Sequence, residues 1–177
     1  APVEGRLRDG TSVPGYRKVY PGDVGWGPLK RDEKYYFRPG PGYPVFDLDF
    51  GKIGILICYD RFFAEGYTSL GMRGAEVVCV PVASSGFIED LFVPGLRTHA
   101  VENAFFVLGS NKSGDESVEG NEAHFYGRSA IVGPAGEVLA QASDEKAETI
   151  TSRIDLDAIN EQRRRIFVYR DRRSDLV

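Results

Sequence analysis

Apolar and polar positions along the chain change period several times, and each change marks an expected element. Residues 14–44 show little periodicity, and Pro21-Gly22, Gly25-Trp26-Gly27-Pro28 and Pro39-Gly40-Pro41-Gly42 punctuate them with turns. A long loop is expected there, of a length that usually serves function. From Pro44 to Phe50 the pattern alternates, with Phe46, Leu48 and Phe50 on one face. Gly51-Lys52 is expected to turn this strand back into Ile53–Cys58. That second run is apolar almost throughout, as in a strand covered on both faces. A helix over Arg61–Met72 closed by Gly74 is expected next, then a buried strand over Glu76–Val82. A helix over Pro94–Asn103 and a strand over Phe105–Ser110 follow. Ser129–Val132 and Glu137–Ala140 read as a hairpin across Pro134-Ala135-Gly136, Thr149–Ile154 as a strand and Asp157–Ile166 as a polar helix. Helical and hairpin connections mix, so the expected class is α/β, a mixed sheet layered with helices. No linker divides the 177 residues, which read as one domain.

Composition narrows the partners. Hydrophobic residues make up 42% and charged residues 27%, a globular balance rather than a disordered one. The formal net charge of −4 disfavours a nucleic-acid binder held by counterion release. No apolar run approaches the ~18 residues of a membrane helix. The first residues, Ala1-Pro-Val-Glu-Gly-Arg, show no signal-peptide pattern, which points to the cytoplasm. Two cysteines are too few for a disulfide framework.

Both cysteines, Cys58 and Cys79, lie in apolar runs, where a cysteine is ordinarily a small buried hydrophobe. That reading suits Cys79. Cys58 differs, because a strand ends on it and a helix start follows at once in Tyr59-Asp60-Arg61. A sharp strand-to-helix turn presents its side chain as a hydrolase nucleophile is presented, and a nearby helix N-terminus favours thiolate over thiol. A cysteine protease would pair it with His99 or His124, the two histidines present. With no Cys-x-x-Cys or His-x-x-x-His spacing, no metal site is expected. Residues 84–93 carry apolar Phe87, Ile88 and Phe92, which hint at a partly apolar substrate. His99 is expected on the packing face of its helix and His124 in a loop. The basic runs Arg163-Arg164-Arg165 and Arg170-Asp171-Arg172-Arg173 suggest a solvated helix and a tail that pairs with a neighbouring subunit.

Several further stretches, taken in order, resemble one family. They are Tyr16-Arg17-Lys18-Val19-Tyr20, Glu33-Lys34-Tyr35-Tyr36-Phe37-Arg38-Pro39-Gly40 and Gly54-Ile55-Leu56-Ile57-Cys58-Tyr59-Asp60-Arg61. Arg73-Gly74-Ala75-Glu76, Arg97-Thr98-His99-Ala100-Val101-Glu102-Asn103, Asn111, Phe125-Tyr126-Gly127-Arg128-Ser129, Pro134-Ala135-Gly136-Glu137 and Tyr169-Arg170-Asp171-Arg172-Arg173 complete the set. The chain looks like a member of the nitrilase superfamily of carbon–nitrogen hydrolases, and is most similar to its N-carbamoyl amidase branch. The resemblance implies an α-β-β-α sandwich with mixed sheets and hydrolysis of a non-peptide carbon–nitrogen bond, in an amide or N-carbamoyl substrate. It implies a Glu–Lys–Cys triad, no cofactor, and a homo-oligomer acting on a small molecule.

Residue by residue, Cys58 matches the nucleophile, Lys18 the triad lysine, and Glu33 a second glutamate beside the lysine. The N–H of Tyr59 is the expected oxyanion donor, and Arg61 the expected substrate-binding cation. The triad base lies in the family well before the lysine. Here only Glu4 and Asp9 are acidic among the 17 residues before Lys18, and neither matches it. The whole of 1–177 is therefore expected to be the C-terminal portion of a carbon–nitrogen hydrolase domain, the N-terminal part of the fold missing. Tyr20 stands where the family has a histidine, Ala64 where it has a proline, and Phe62 where amino-acid carbamoylases have a second arginine. The alternative is a catalytically silent subunit or fragment that binds a partner.

Overall fold

The computed structural model describes residues 5–6, 12–13, 15–26, 29–86, 88–118, 120–144, 146–173 and 175. Two short hairpins lead the chain: Gly5–Arg6 (β1) with Ser12–Val13 (β2), and Asp23–Trp26 (β3) with Leu29–Asp32 (β4). A one-turn helix, Glu33–Tyr36 (α1), follows, with the Asp32 carboxylate capping Lys34 N–H at 3.0 Å. The expected long loop thus contains a hairpin and a helix. Pro21-Gly22 stands just ahead of β3 and Gly25 lies within it, so the stretch is not one continuous coil.

Val45–Leu48 (β5) pairs antiparallel with Gly51–Ile55 (β6). The turn between them is Asp49-Phe50, two residues earlier than expected, because Leu48 faces Gly51. Lys52 is held in the strand: its N–H donates to Glu76 Oε2 and its carbonyl accepts from Glu76 N–H, both at 2.8 Å. After a 3-10 helix at Cys58–Phe62 come Ala64–Met72 (α2), Val77–Val82 (β7) and Glu89–Asn103 (α3). Helix α3 begins five residues before Pro94, which the sequence suggests as its start. Glu89 and Asp90 complement the dipole of its first turn, and the proline omits a single backbone bond.

Phe106–Asn111 (β8), Ser113–Val118 (β9), Asn121–Tyr126 (β10), Ala130–Val132 (β11), Val138–Gln141 (β12) and Asp157–Arg165 (α4) complete the order. His124 therefore lies on strand β10, not in a loop. Thr149–Ile154 forms no strand. Its apolar character is used in packing, where Ile154 sits against Val77, Phe106 and Ile159.

Six strands make one mixed sheet in the order β12-β11-β8-β7-β6-β5, with β6, β7 and β8 mutually parallel at its centre. Alternation along these strands divides the core between two faces. Val78, Val80, Val82 and Val107 face α2 and α3 with Leu56, Tyr67, Leu70, Phe92, Leu96 and Phe105. Val77, Cys79, Phe106 and Leu108 face the other way, toward Ile159 of α4. Each fully buried leucine contributes about 2–3 kcal/mol of transfer free energy. Gly54 is required where α2 crosses β6, since a Cβ there would lie 2.8 Å from Leu70. No helix among the described residues is long and apolar enough to cross a membrane.

Candidate active site

Strand β6 aims the chain at a sharp corner. Leu56 N–H still bonds Cys79 O at 3.0 Å, continuing the parallel ladder past Ile55. Two residues later Cys58 has φ +50°, a left-handed conformation that costs a residue with a Cβ about 1–2 kcal/mol. Such conformations persist where surrounding bonds over-determine them. Here Asp60 N–H donates to Ile57 O at 3.0 Å, Ile57 N–H donates to Asp60 Oδ2 at 3.0 Å, and Arg61 donates to Cys58 O at 3.4 Å. The thiol thus sits on the strained strand-to-helix turn expected of it, half-buried and free of any disulfide. Tyr59 follows at the start of the 3-10 helix, where the first N–H groups have no intrahelical acceptor. Its ring meets Phe62 and Phe63 edge-on.

Lys18 and Glu33 come together from different parts of the 14–44 stretch. The ammonium bonds the carboxylate directly, and the same Oε2 accepts Gly22 N–H at 2.7 Å. Lys18 is the more enclosed of the pair, with 14% of its side chain exposed against 37% for Glu33. Gly40 locks the loop around the lysine. Its N–H donates to Lys18 O at 2.7 Å, and a Cβ at this position would collide with the Arg17 carbonyl.

Asp60 joins this loop to the cysteine turn. Its carboxylate, fully buried, accepts Tyr16 O–H at 2.6 Å and Tyr20 N–H at 2.8 Å, besides Ile57 N–H. Burial and the Asp60 carboxylate push the Tyr16 phenol well above its ordinary range. Sequence reasoning placed Asp60 only as a neighbour of Arg61. Its signal was the acid two residues after the cysteine, at a position where it can reach back to cap the turn.

The carboxyl ends of the three parallel strands meet here, the usual place for a site in an open α/β sheet. After β6 comes Cys58, after β7 comes Ser84, and β8 ends on Asn111. Asn111 Oδ1 accepts Ser84 N–H at 2.9 Å, and its Nδ2 donates to Gly127 O at 3.0 Å and Ser84 O at 3.3 Å. Arg61, 8% exposed, bridges Cys58 O and Ser84 Oγ and lies 4.4 Å over the Phe62 ring. Its described hydrogen-bond partners are thus groups of the chain itself.

Phe92 proves to be core rather than pocket, 3% exposed and packed toward Tyr126. Phe87, Glu4 and Asp9 lie outside the described residues. His99 stacks on Tyr67 at 4.0 Å and meets Glu102 at 3.1 Å, and His124 pairs with Asp115 at 2.6 Å. No described contact joins either imidazole to Cys58. Burial pushes the Cys79 thiol up. The C-terminal tail folds onto its own chain: Tyr169 O–H donates to Asn103 O, and Arg172 donates to Thr68 Oγ1 at 3.3 Å.

Residues 7–164 match the family model described as carbon-nitrogen hydrolase. The chain is 39% identical over 181 residues to an N-carbamoylputrescine amidase of Solanum lycopersicum, covering 95% of this chain and 59% of that protein. The crystal structure of a carbon-nitrogen hydrolase from Helicobacter pylori G27 superposes with a TM-score of 0.85 at 30% identity, over 97% of this chain and 62% of that one. This chain therefore shares the nitrilase fold and spans about three-fifths of the length of such relatives. A mutant of the amidase from Nesterenkonia sp. AN1, in which acrylamide has added to the active-site cysteine, matches over 80% of this chain at 34% identity with a TM-score of 0.64.

Proposed function

The chain belongs to the carbon–nitrogen hydrolase family, and on that premise we propose that the protein hydrolyses an amide or N-carbamoyl substrate through a covalent intermediate on Cys58. One observation carries this reading. Cys58 stands at φ +50° on the turn after a central strand, and hydrogen bonds to the buried Asp60 tie that turn to the loop holding Lys18 against Glu33.

In the proposed cycle the Cys58 thiolate attacks the carbonyl carbon. The Lys18 ammonium and the Tyr59 N–H stabilise the oxyanion, a contribution typically large in acyl transfer. The amine or ammonia leaves with a proton from the base, and water then cleaves the thioester or thiocarbamate, returning a proton to that base. Glu33 orients Lys18 and holds its charge. The base itself is the glutamate that the family resemblance places ahead of the lysine. Arg61 uses two donors on Cys58 O and Ser84 Oγ, and the remainder of its five N–H groups are proposed to serve an incoming substrate oxygen.

The same reading makes 1–177 the C-terminal portion of one hydrolase domain. It has the protein acting in the cytoplasm as a homo-oligomer on a small molecule, with neither nucleic acid nor membrane as partner. The similarity to an N-carbamoylputrescine amidase makes N-carbamoylputrescine the first compound to assay. The test is turnover of a panel of amides and N-carbamoyl amines by the full protein, with mass spectrometry of the Cys58 peptide under rapid quench. Turnover with an acyl or carbamoyl adduct on Cys58 is expected. Absence of both across the panel overturns the reading and leaves a silent binding subunit.

A further inference from the structure

We propose that Asp60 is a positioning residue that fixes where the Lys18–Glu33 pair stands relative to the Cys58 thiol; the proposal builds on the hydrolase reading above. Two of its three partners, Tyr16 O–H and Tyr20 N–H, bracket Lys18 in sequence, and the third, Ile57 N–H, immediately precedes Cys58. Both carboxylate oxygens are engaged: Oδ1 by the lysine loop, Oδ2 by the loop and the cysteine turn together. A single rigid group therefore measures the distance between the cation's loop and the nucleophile's turn.

Burying a carboxylate is costly, and three donors make it tolerable rather than profitable. Docking alone does not need it. Tyr20 also stacks on Phe63 at 3.7 Å, and its hydroxyl donates to Glu65 Oε1 at 2.9 Å, so the loop has a second attachment to the start of α2. What Asp60 adds is register along that attachment. The other titratable or charged groups near the junction are Tyr16, Tyr20, Tyr43, Glu65, Arg61 and Tyr67. Tyr16 and Tyr20 belong to the loop that carries Lys18, so weakening their Asp60 acceptor shifts that loop, and with it the relation of Lys18 to Cys58.

The experiment compares the parent full protein with Asp60→Asn, Tyr16→Phe and Leu96→Ala. The last opens a cavity in the core under α3, beside Gly109 of β8. The readouts are the pH–rate profile of Cys58 alkylation by iodoacetamide, the melting temperature, and kcat against KM on the amide panel. Asp60→Asn also removes a negative charge beside the thiol, a change that favours the thiolate. Tyr16→Phe leaves that charge in place and so carries the alkylation readout. It is expected to slow alkylation at pH 7 several-fold and move the profile to higher pH, because a displaced ammonium stabilises the thiolate less. Both variants lower kcat more than they raise KM. Leu96→Ala lowers the melting temperature and leaves the profile alone. If Asp60→Asn does not fold, Tyr16→Phe decides. A parent-like profile in Tyr16→Phe, or an equal shift in Leu96→Ala, overturns the proposal. A parent that turns over no panel compound ends the hydrolase reading, yet a shifted alkylation profile in the same protein still upholds the clamp. Normal parent turnover with parent-like clamp variants does the reverse.

Discussion

Gly22 and Glu33 bond to each other from both sides: Glu33 N–H donates to Gly22 O at 3.0 Å, and Gly22 N–H donates to Glu33 Oε2 at 2.7 Å. The carboxylate is thus anchored to backbone before it meets Lys18. Side-chain ordering that would otherwise oppose the ion pair is supplied by the start of α1. The pair behaves as a fixed cation holder rather than as a surface salt bridge.

Lys18→Ala in the full protein is expected to lower amide turnover by at least about 10²-fold with the fold intact, the loss typical of removing one preorganised oxyanion donor. Glu33→Gln keeps an oxygen for Gly22 N–H but loses the charge facing the ammonium, so its loss should be intermediate. Steady-state kinetics decide the matter. A Lys18→Ala rate within about threefold of the parent removes that residue from the machinery.

Alkylation followed by peptide mapping should modify Cys58 before Cys79. The Cys79 thiol is packed beside Val77 and Phe106 and pushed up by burial, which keeps it protonated and slow. Preferential labelling of Cys79 contradicts the assignment of the nucleophile.

The left-handed backbone at Cys58 makes an unusual stability ordering. Cys58→Gly should be more stable than Cys58→Ala by about 1 kcal/mol, since glycine carries no Cβ penalty at positive φ. Urea unfolding of both variants measures the difference. An alanine variant as stable as the glycine one means the turn relaxes once the sulfur is gone.

Burial raises the phenols of both Tyr16 and Tyr67 above the unfolded value of about 10. Between the unfolded and folded values the native state binds more protons than the unfolded one, so stability falls as pH rises. Their contribution is complete below pH about 10 and is lost progressively above it. Tyr16→Phe should flatten the decline in denaturation midpoint above that pH. A decline as steep as the parent's assigns the alkaline sensitivity elsewhere.

The order of the central elements is legible in the sequence because β6, β7 and β8 are apolar runs bounded by clear turn and helix signals. The α/β class and the position of Cys58 at a strand end follow from the same pattern. Within residues 14–44, Asp23–Trp26 and Leu29–Asp32 pair, but the sequences Asp-Val-Gly-Trp and Leu-Lys-Arg-Asp hold too few apolar residues to show a strand period. Pro94 hid the true start of α3, since a proline is commonest at a helix's first position. Asp60 was hidden for a different reason. Its partners Tyr16 and Tyr20 lie 44 and 40 positions away, a relation no local pattern carries.

The parallel centre of the sheet has a kinetic consequence. Ile53 faces Val77, and Val77 faces Phe106, so each central pairing closes a segment of two dozen residues or more. Such closures are entropically late, whereas the β5–β6 and β9–β10 hairpins need only short ones. Because Cys58, Ser84 and Asn111 each follow or end one of the late strands, the thiol's surroundings assemble only when the whole sheet has. They are lost the same way, all together. Fraying of the C-terminal tail should leave thiol reactivity untouched, while the lifetime of the reactive centre at elevated temperature is set by the barrier to opening the sheet as a unit.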